Sequence, residues 1–212
     1  MQPINTVFST DSVLDIPEIV EAKEILNKEY GSKYFIPITH MGYSIVPCPK
    51  YNFEKIKEEI LEYISKQKPY KIVFKELVIQ PESHFVYLKT EGKDPKRIHE
   101  EITKISNKYR DDYVREKDLE RLDEGKFNDL EKQYLKEYGY TRVMDLYKSH
   151  ITIGSFDMDT DIEEVENKLQ RILEPILNKE IVVDNIHPIF HTDSKGSQLG
   201  MQVIWEEVIK LS

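Results

Sequence analysis

His150 and Thr152 stand two residues apart in the segment Ser149-His150-Ile151-Thr152-Ile153-Gly154. Side chains two apart on a strand share a face, so the imidazole and the hydroxyl point one way while Ile151 and Ile153 point the other. An imidazole, with an ordinary pKa of about 6.5, can take or give a proton near neutrality. A second histidine lies in Thr39-His40-Met41-Gly42-Tyr43-Ser44, where the same alternation groups His40, Gly42 and Ser44 against Met41, Tyr43 and Ile45. Two imidazoles on opposite sides of one phosphate can cleave a phosphodiester without a metal. One removes a proton from the attacking water or hydroxyl, and the other protonates the leaving oxygen. Threonine or serine hydroxyls and backbone N–H groups would hold the non-bridging oxygens as charge develops on them.

Around this pair, Ser44 is read as a hydroxyl able to reach a phosphate oxygen. Tyr147 and Lys148, with Tyr140 and Arg142 just upstream, offer a stacking ring and positive charge, although the ordinary role of such residues is to fill core and surface. His84 reads as a partly exposed edge residue and His99 as a solvent-facing residue of a charged helix. His187 and His191 flank Pro188-Ile189-Phe190 and could rim the site, while His191-Thr192-Asp193 reads as a turn before Lys195-Gly196. Cys48 is the single cysteine, and no histidine, cysteine or carboxylate spacing suits zinc or calcium, so neither a metal nor another cofactor is expected.

The elements that must position these residues follow from periodicity and punctuation. Helical spacing of Ile19, Val20, Ile25 and Leu26 behind Pro17 predicts a helix over 17–29, and β-branched and aromatic enrichment predicts a strand over the second half of 34–46. Phe53, Ile56, Ile60, Leu61 and Ile64 fall on one face of a helix over 52–66. Two strand-like runs, 70–80 and 84–90, flank Pro81-Glu82-Ser83 and read as a hairpin. A charged, helix-like excursion occupies about 94–137 with a break at Gly125. The strand carrying His150 follows, then a helix over 161–174 disturbed by Pro175, then strands over 180–190 and 198–209. A histidine-bearing strand followed by an amphipathic helix and two strands thus occurs twice, with little identity between the copies.

The segment Ser149-His150-Ile151-Thr152-Ile153-Gly154 resembles the His-x-Thr motif of the 2H phosphoesterase superfamily, which includes LigT-like RNA 2′,3′-cyclic phosphodiesterases and enzymes acting on 2′-5′ oligonucleotides. The resemblance spans roughly residues 34–210. It implies a bilobal α+β fold in which two antiparallel sheets flank a central groove, with helices outside and one motif per lobe. Carried over residue by residue, His40, His150 and Thr152 match as catalytic groups. Glycine stands at position 42, where the family's first motif has its threonine.

Composition bounds the partners. At 212 residues the chain is expected to form one domain, and its 39% hydrophobic content supports a core. A net charge of −9 argues against gripping a long nucleic acid, which needs many neutralised phosphates, and leaves a small nucleotide or short oligonucleotide as the expected partner. No apolar run suits a membrane span and the N-terminus lacks signal-peptide character, so a cytoplasmic location without membrane association is the expectation. The leading function is a metal-independent phosphodiesterase acting on a 2′,3′-cyclic phosphate, a 2′-5′ oligonucleotide or a cyclic oligonucleotide. Its alternatives are a nucleotide-binding module that Gly42 has slowed or silenced, and an interaction domain that docks a protein partner on the charged helical region.

Overall fold

The computed structural model describes residues 6–32, 39–192 and 202–212. Its strands are β1 (Thr6–Val13), β2 (His40–Pro47), β3 (Tyr70–Gln80), β4 (Phe85–Glu91), β5 (His150–Ser155), β6 (Glu180–Val183), β7 (Asn185–Thr192), β8 (Val203–Glu206) and β9 (Ile209–Lys210). Its helices are α1 (Pro17–Glu29), α2 (Phe53–Ser65), α3 (Lys93–Asn107), α4 (Glu116–Asp123), α5 (Asp129–Tyr138) and α6 (Ile162–Leu173). The strand expected over the second half of 34–46 is β2, while the start of the strand expected from residue 198 and the turn at Asp193 to Gly196 lie outside the described residues.

The strands form one antiparallel sheet in the order β6-β3-β4-β5-β2-β1-β7-β8, with β9 added to β7. Two separate sheets were expected. Instead the two halves, β6-β3-β4-β5 and β2-β1-β7-β8, are continuous, and among the described residues they meet at a single ladder pair, Met41 with Ile151. The joint is short because both strands begin there, β2 running on from Met41 and β5 from Ile151 in opposite directions, each pairing over its length with the strand of its own half. Strand β1, unanticipated in the sequence, lies between β2 and β7 and completes the second half.

One face of the sheet carries the core. Phe8, Met41, Ile72, Phe74, Val86, Leu88, Ile151 and Ile153 pack with Ile19 and Leu26 of α1, Ile56 and Ile60 of α2, Ile98 and Ile102 of α3, and Val165 and Leu169 of α6. The helices begin where the sequence offers start signals. Pro17 opens α1, the Asp161 carboxylate accepts from the Glu163 N–H ahead of α6, and Asn128 and Glu131 form a reciprocal capping box ahead of α5. Helix α5 ends on Gly139 at φ +71, where a Cβ would come within 2.6 Å of Arg110 Cδ. Across the core, the Ser12 hydroxyl contacts both the Asn185 carbonyl (2.5 Å) and the Tyr43 hydroxyl (2.6 Å), and Tyr43 in turn meets the hydroxyl of Tyr70.

The helical excursion expected over 94–137 is in part core. Helix α3 buries Ile98, His99 and Ile102 against the sheet, and the chain breaks at 108–115 as well as near Gly125. Beyond it, Arg115 and Asp118 form a buried ion pair (2.6 Å) with Tyr140 beneath the guanidinium.

Candidate active site

His150 opens β5, whose Ile151 and Ile153 are fixed in the core. The other face of that strand therefore presents His150 and Thr152, both half-buried. His150 Nδ1 lies 2.7 Å from the Lys148 carbonyl oxygen, which can only accept. That bond places a proton on Nδ1 and leaves the lone pair of the neutral ring on Nε2, the arrangement a general base requires. The Tyr87 ring meets the imidazole edge-on, with centroids 5.2 Å apart.

His40 opens β2 and is half-buried on the same open face. Antiparallel pairing of Met41 with Ile151 sets His40 abreast of Thr152 and Gly42 abreast of His150. Both histidines and Thr152 thus share the face at the waist of the sheet. Gly42 is exposed, and a Cβ built there has nothing within 4 Å. The hydroxyl missing from position 42 leaves open space beside His150.

Ser44 is not on that face. Between Thr10–Ser44 and Asp11–Gly42 the register of β1 and β2 slips by one residue, a bulge at Tyr43. The slip turns Ser44 into the core, 6% exposed, with its hydroxyl 3.3 Å from that of Thr103 on α3. Simple alternation fails at a bulge, and nothing in the local residues announces one. Tyr43, by contrast, is buried as alternation requires.

The residues before β5 have internal duties. The Tyr147 hydroxyl donates to the Gly42 carbonyl (3.0 Å), and its ring stacks on His99 with centroids 4.0 Å apart and planes 4° off parallel. Lys148 is exposed. His99, expected in solvent, is buried: Nδ1 donates to the Tyr43 carbonyl (2.6 Å) and Nε2 accepts from the Met144 N–H (2.8 Å). Burial, with a smaller push from Lys96, lowers its pKa to about 4 and keeps it neutral. His84 is likewise buried, packed on Phe156 with Nδ1 2.9 Å from the Asp157 carbonyl. His99 is on the helix read from sequence but is not exposed, whereas His84 lies in the turn ahead of β4, a strand flanked by β3 and β5, and is neither an edge residue nor exposed.

The second half of the sheet adds groups that β1 brings in. Asp11 pairs in register with Gly42 on one side and with His187 on the other, so all three share the open face. His187 Nδ1 lies 3.2 Å from an Asp11 oxygen and Nε2 lies 3.0 Å from Glu206. Asp11 holds the His187 pKa above its ordinary value, against the opposing effect of burial and with help from Glu206. Ser9 Oγ lies 3.0 Å from His191 Nε2 on the same face. His187 and His191 belong to a strand that runs on through Thr192, where a turn was expected at His191.

Comparison with known proteins adds a family and a fold. Residues 48–199, which include His150 and Thr152 and leave out His40, match the family described as protein of unknown function (DUF1045). The chain belongs to that family. No curated protein matches this DUF1045 chain. Among solved structures it is similar to TT0787 of Thermus thermophilus, at 13% identity over 97% of this chain and 98% of that one, with a TM-score of 0.57. It is also similar to a phosphoesterase, at 8% identity over 99% of each chain and a TM-score of 0.51. Usb1 of Kluyveromyces marxianus gives 9% identity over 99% of each chain and a TM-score of 0.50. At such identities the likeness is one of fold, and it agrees with the resemblance carried by the histidine motif. Among the described residues no group of three histidines, cysteines or carboxylates could hold a metal ion, and no helix is long and apolar enough to cross a membrane.

Proposed function

We propose that this protein is a phosphodiesterase that hydrolyses a small nucleotide, with His40 and His150 as the acid–base pair and Thr152 as a phosphate anchor. One observation carries the reading: the ladder pair at the waist of the sheet sets His40 abreast of Thr152 on the face where His150 stands with Nε2 poised to accept a proton. In the reaction one imidazole takes a proton from water as its oxygen bonds to phosphorus. The other gives a proton to the ester oxygen as the P–O bond breaks, so no metal is required. The Thr152 hydroxyl would steady a non-bridging oxygen. A 2′,3′-cyclic phosphate, a 2′-5′ oligonucleotide and a cyclic oligonucleotide all meet this chemistry.

The test is hydrolysis of a 2′,3′-cyclic nucleotide, a 2′-5′ oligoadenylate and a cyclic dinucleotide with EDTA present. Wild type should turn over at least one, and His40→Ala and His150→Ala should each lower the rate by about 10²–10⁴-fold, the usual worth of a positioned acid or base. Turnover indifferent to either substitution would sink the proposal. The open space at Gly42 favours one alternative, a module that binds nucleotides without efficient turnover, and binding without hydrolysis across the panel would select it.

A further inference from the structure

The open face continues past the motif onto β4, and there it is aromatic. Tyr87 pairs in register with Thr152, and Phe85 with Ser155, across a bulge in β5. Because Val86 and Leu88 are fully buried in the core, Phe85 and Tyr87 must point to the face that carries His150. Both rings are half-exposed, and they lie 6.0 Å apart at 34° to one another. Tyr87 also touches the His150 ring edge-on. Lys89, the next residue on that face, is abreast of His150 and paired with Glu76 (2.9 Å). The row therefore reads cation, catalytic imidazole and hydroxyl, then two aromatic rings leading away from the phosphate position.

We infer that Tyr87 and Phe85 form a nucleobase subsite, the part of the groove that recognises the flat heterocycle attached to the phosphate held at His150 and Thr152. This rests on the phosphodiesterase reading and extends it to the base. A strand advances about 3.4 Å per residue, so Phe85 lies about 7 Å along the face from Tyr87, a span comparable with that from the phosphate of a nucleotide to its base. The flat faces of aromatic side chains take any base, so the subsite selects nucleotides over simple phosphate esters and discriminates weakly among bases. Half-exposed aromatic rings beside a reactive histidine have no structural duty comparable to that of Phe74 or Phe190, which are buried in the core.

The experiment is calorimetric titration with adenosine 2′-monophosphate and, separately, ribose 5-phosphate, using wild type, Tyr87→Ala, Phe85→Ala and Tyr87→Phe. Loss of one stacking ring should weaken the adenosine nucleotide about 10- to 100-fold and leave ribose phosphate within about twofold, while Tyr87→Phe retains wild-type affinity. Equal affinity of wild type and both alanine variants for the nucleotide, an equal loss for ribose phosphate, or no binding of the nucleotide by wild type would overturn the subsite. Binding that follows the expected series in a protein that hydrolyses nothing would uphold the subsite and remove the reaction. Hydrolysis of a cyclic nucleotide whose KM is unchanged by Tyr87→Ala would do the reverse.

Discussion

Position 42 is where the side chains at the waist of the sheet are least complete. Gly42 faces His150 with nothing within 4 Å of where a Cβ would stand, and its backbone is outside the left-handed region, so a larger residue meets neither clash nor strain there. Gly42→Thr should fold with a melting temperature within a few degrees of wild type. It would set a second hydroxyl abreast of His150, and the rate of phosphodiester hydrolysis is expected to rise severalfold. A stable variant with a lower rate, measured on the same panel, would show that substrate occupies this space. At this scale the sequence was informative where chemistry is contiguous. His150 and Thr152 share one uninterrupted strand, whereas Ser44 was misplaced by a bulge whose cause lies in pairing with β1. His187 and Asp11 are distant in sequence, and only the sheet makes them neighbours.

Among the described residues β2 and β5 share a single ladder pair, and side chains reinforce that joint. His99 on α3 links the Tyr43 carbonyl of β2 to the Met144 N–H in the loop ahead of β5, and Tyr147, stacked on His99, ties the same loop to Gly42. The clamp requires neutral His99. Because the folded-state pKa of His99 is about 4, below the unfolded value of about 6.5, the unfolded chain binds the proton first, and acidification between those values removes up to about 3 kcal/mol of stability. His99→Gln cannot titrate. Its urea midpoint should start lower than that of wild type at neutral pH, then fall less steeply between about pH 6.5 and pH 4. An unchanged slope would mean that His99 does not link folding to protons. The sequence showed α3 as charged and helical but not which face meets the sheet, because His99 occupies a buried position beside Ile98 and Ile102 where an apolar residue would have declared itself.

Across the whole molecule, one hydrophobic core runs beneath both halves of the sheet. Such a core should melt as a unit, with equal calorimetric and van't Hoff enthalpies. Ile98→Ala in α3 and Ile186→Ala in β7 remove fully buried side chains on different elements, and each should cost about 2–5 kcal/mol. Scanning calorimetry should show both shifting one shared transition; two resolved transitions would mean that the halves fold separately. The α+β class was legible from periodicity, but the closing strand expected over 180–190 divides at Asp184 into β6 beside β3 and β7 beside β1, so the second copy of the repeat does not hold as read. Sheet continuity was not legible either, since it depends on pairing between strands far apart in the chain.

The way the chain threads this sheet also sets an order of completion. Strands β3 to β6, the half bearing His150, come from one continuous stretch ending at Val183, whereas the half bearing His40 draws β1 and β2 from the beginning and β7 and β8 from the end. During synthesis from the N-terminus, β1 and β2 can pair early, but the β1 edge that receives β7 stays open until residues 185–192 emerge. Phe53 of α2 waits equally long for Phe190, its stacking partner at 4.5 Å. The half holding the first histidine is therefore the last to close, and a truncated product lacking β7 exposes a sticky strand edge and an unfilled apolar surface instead of a working groove.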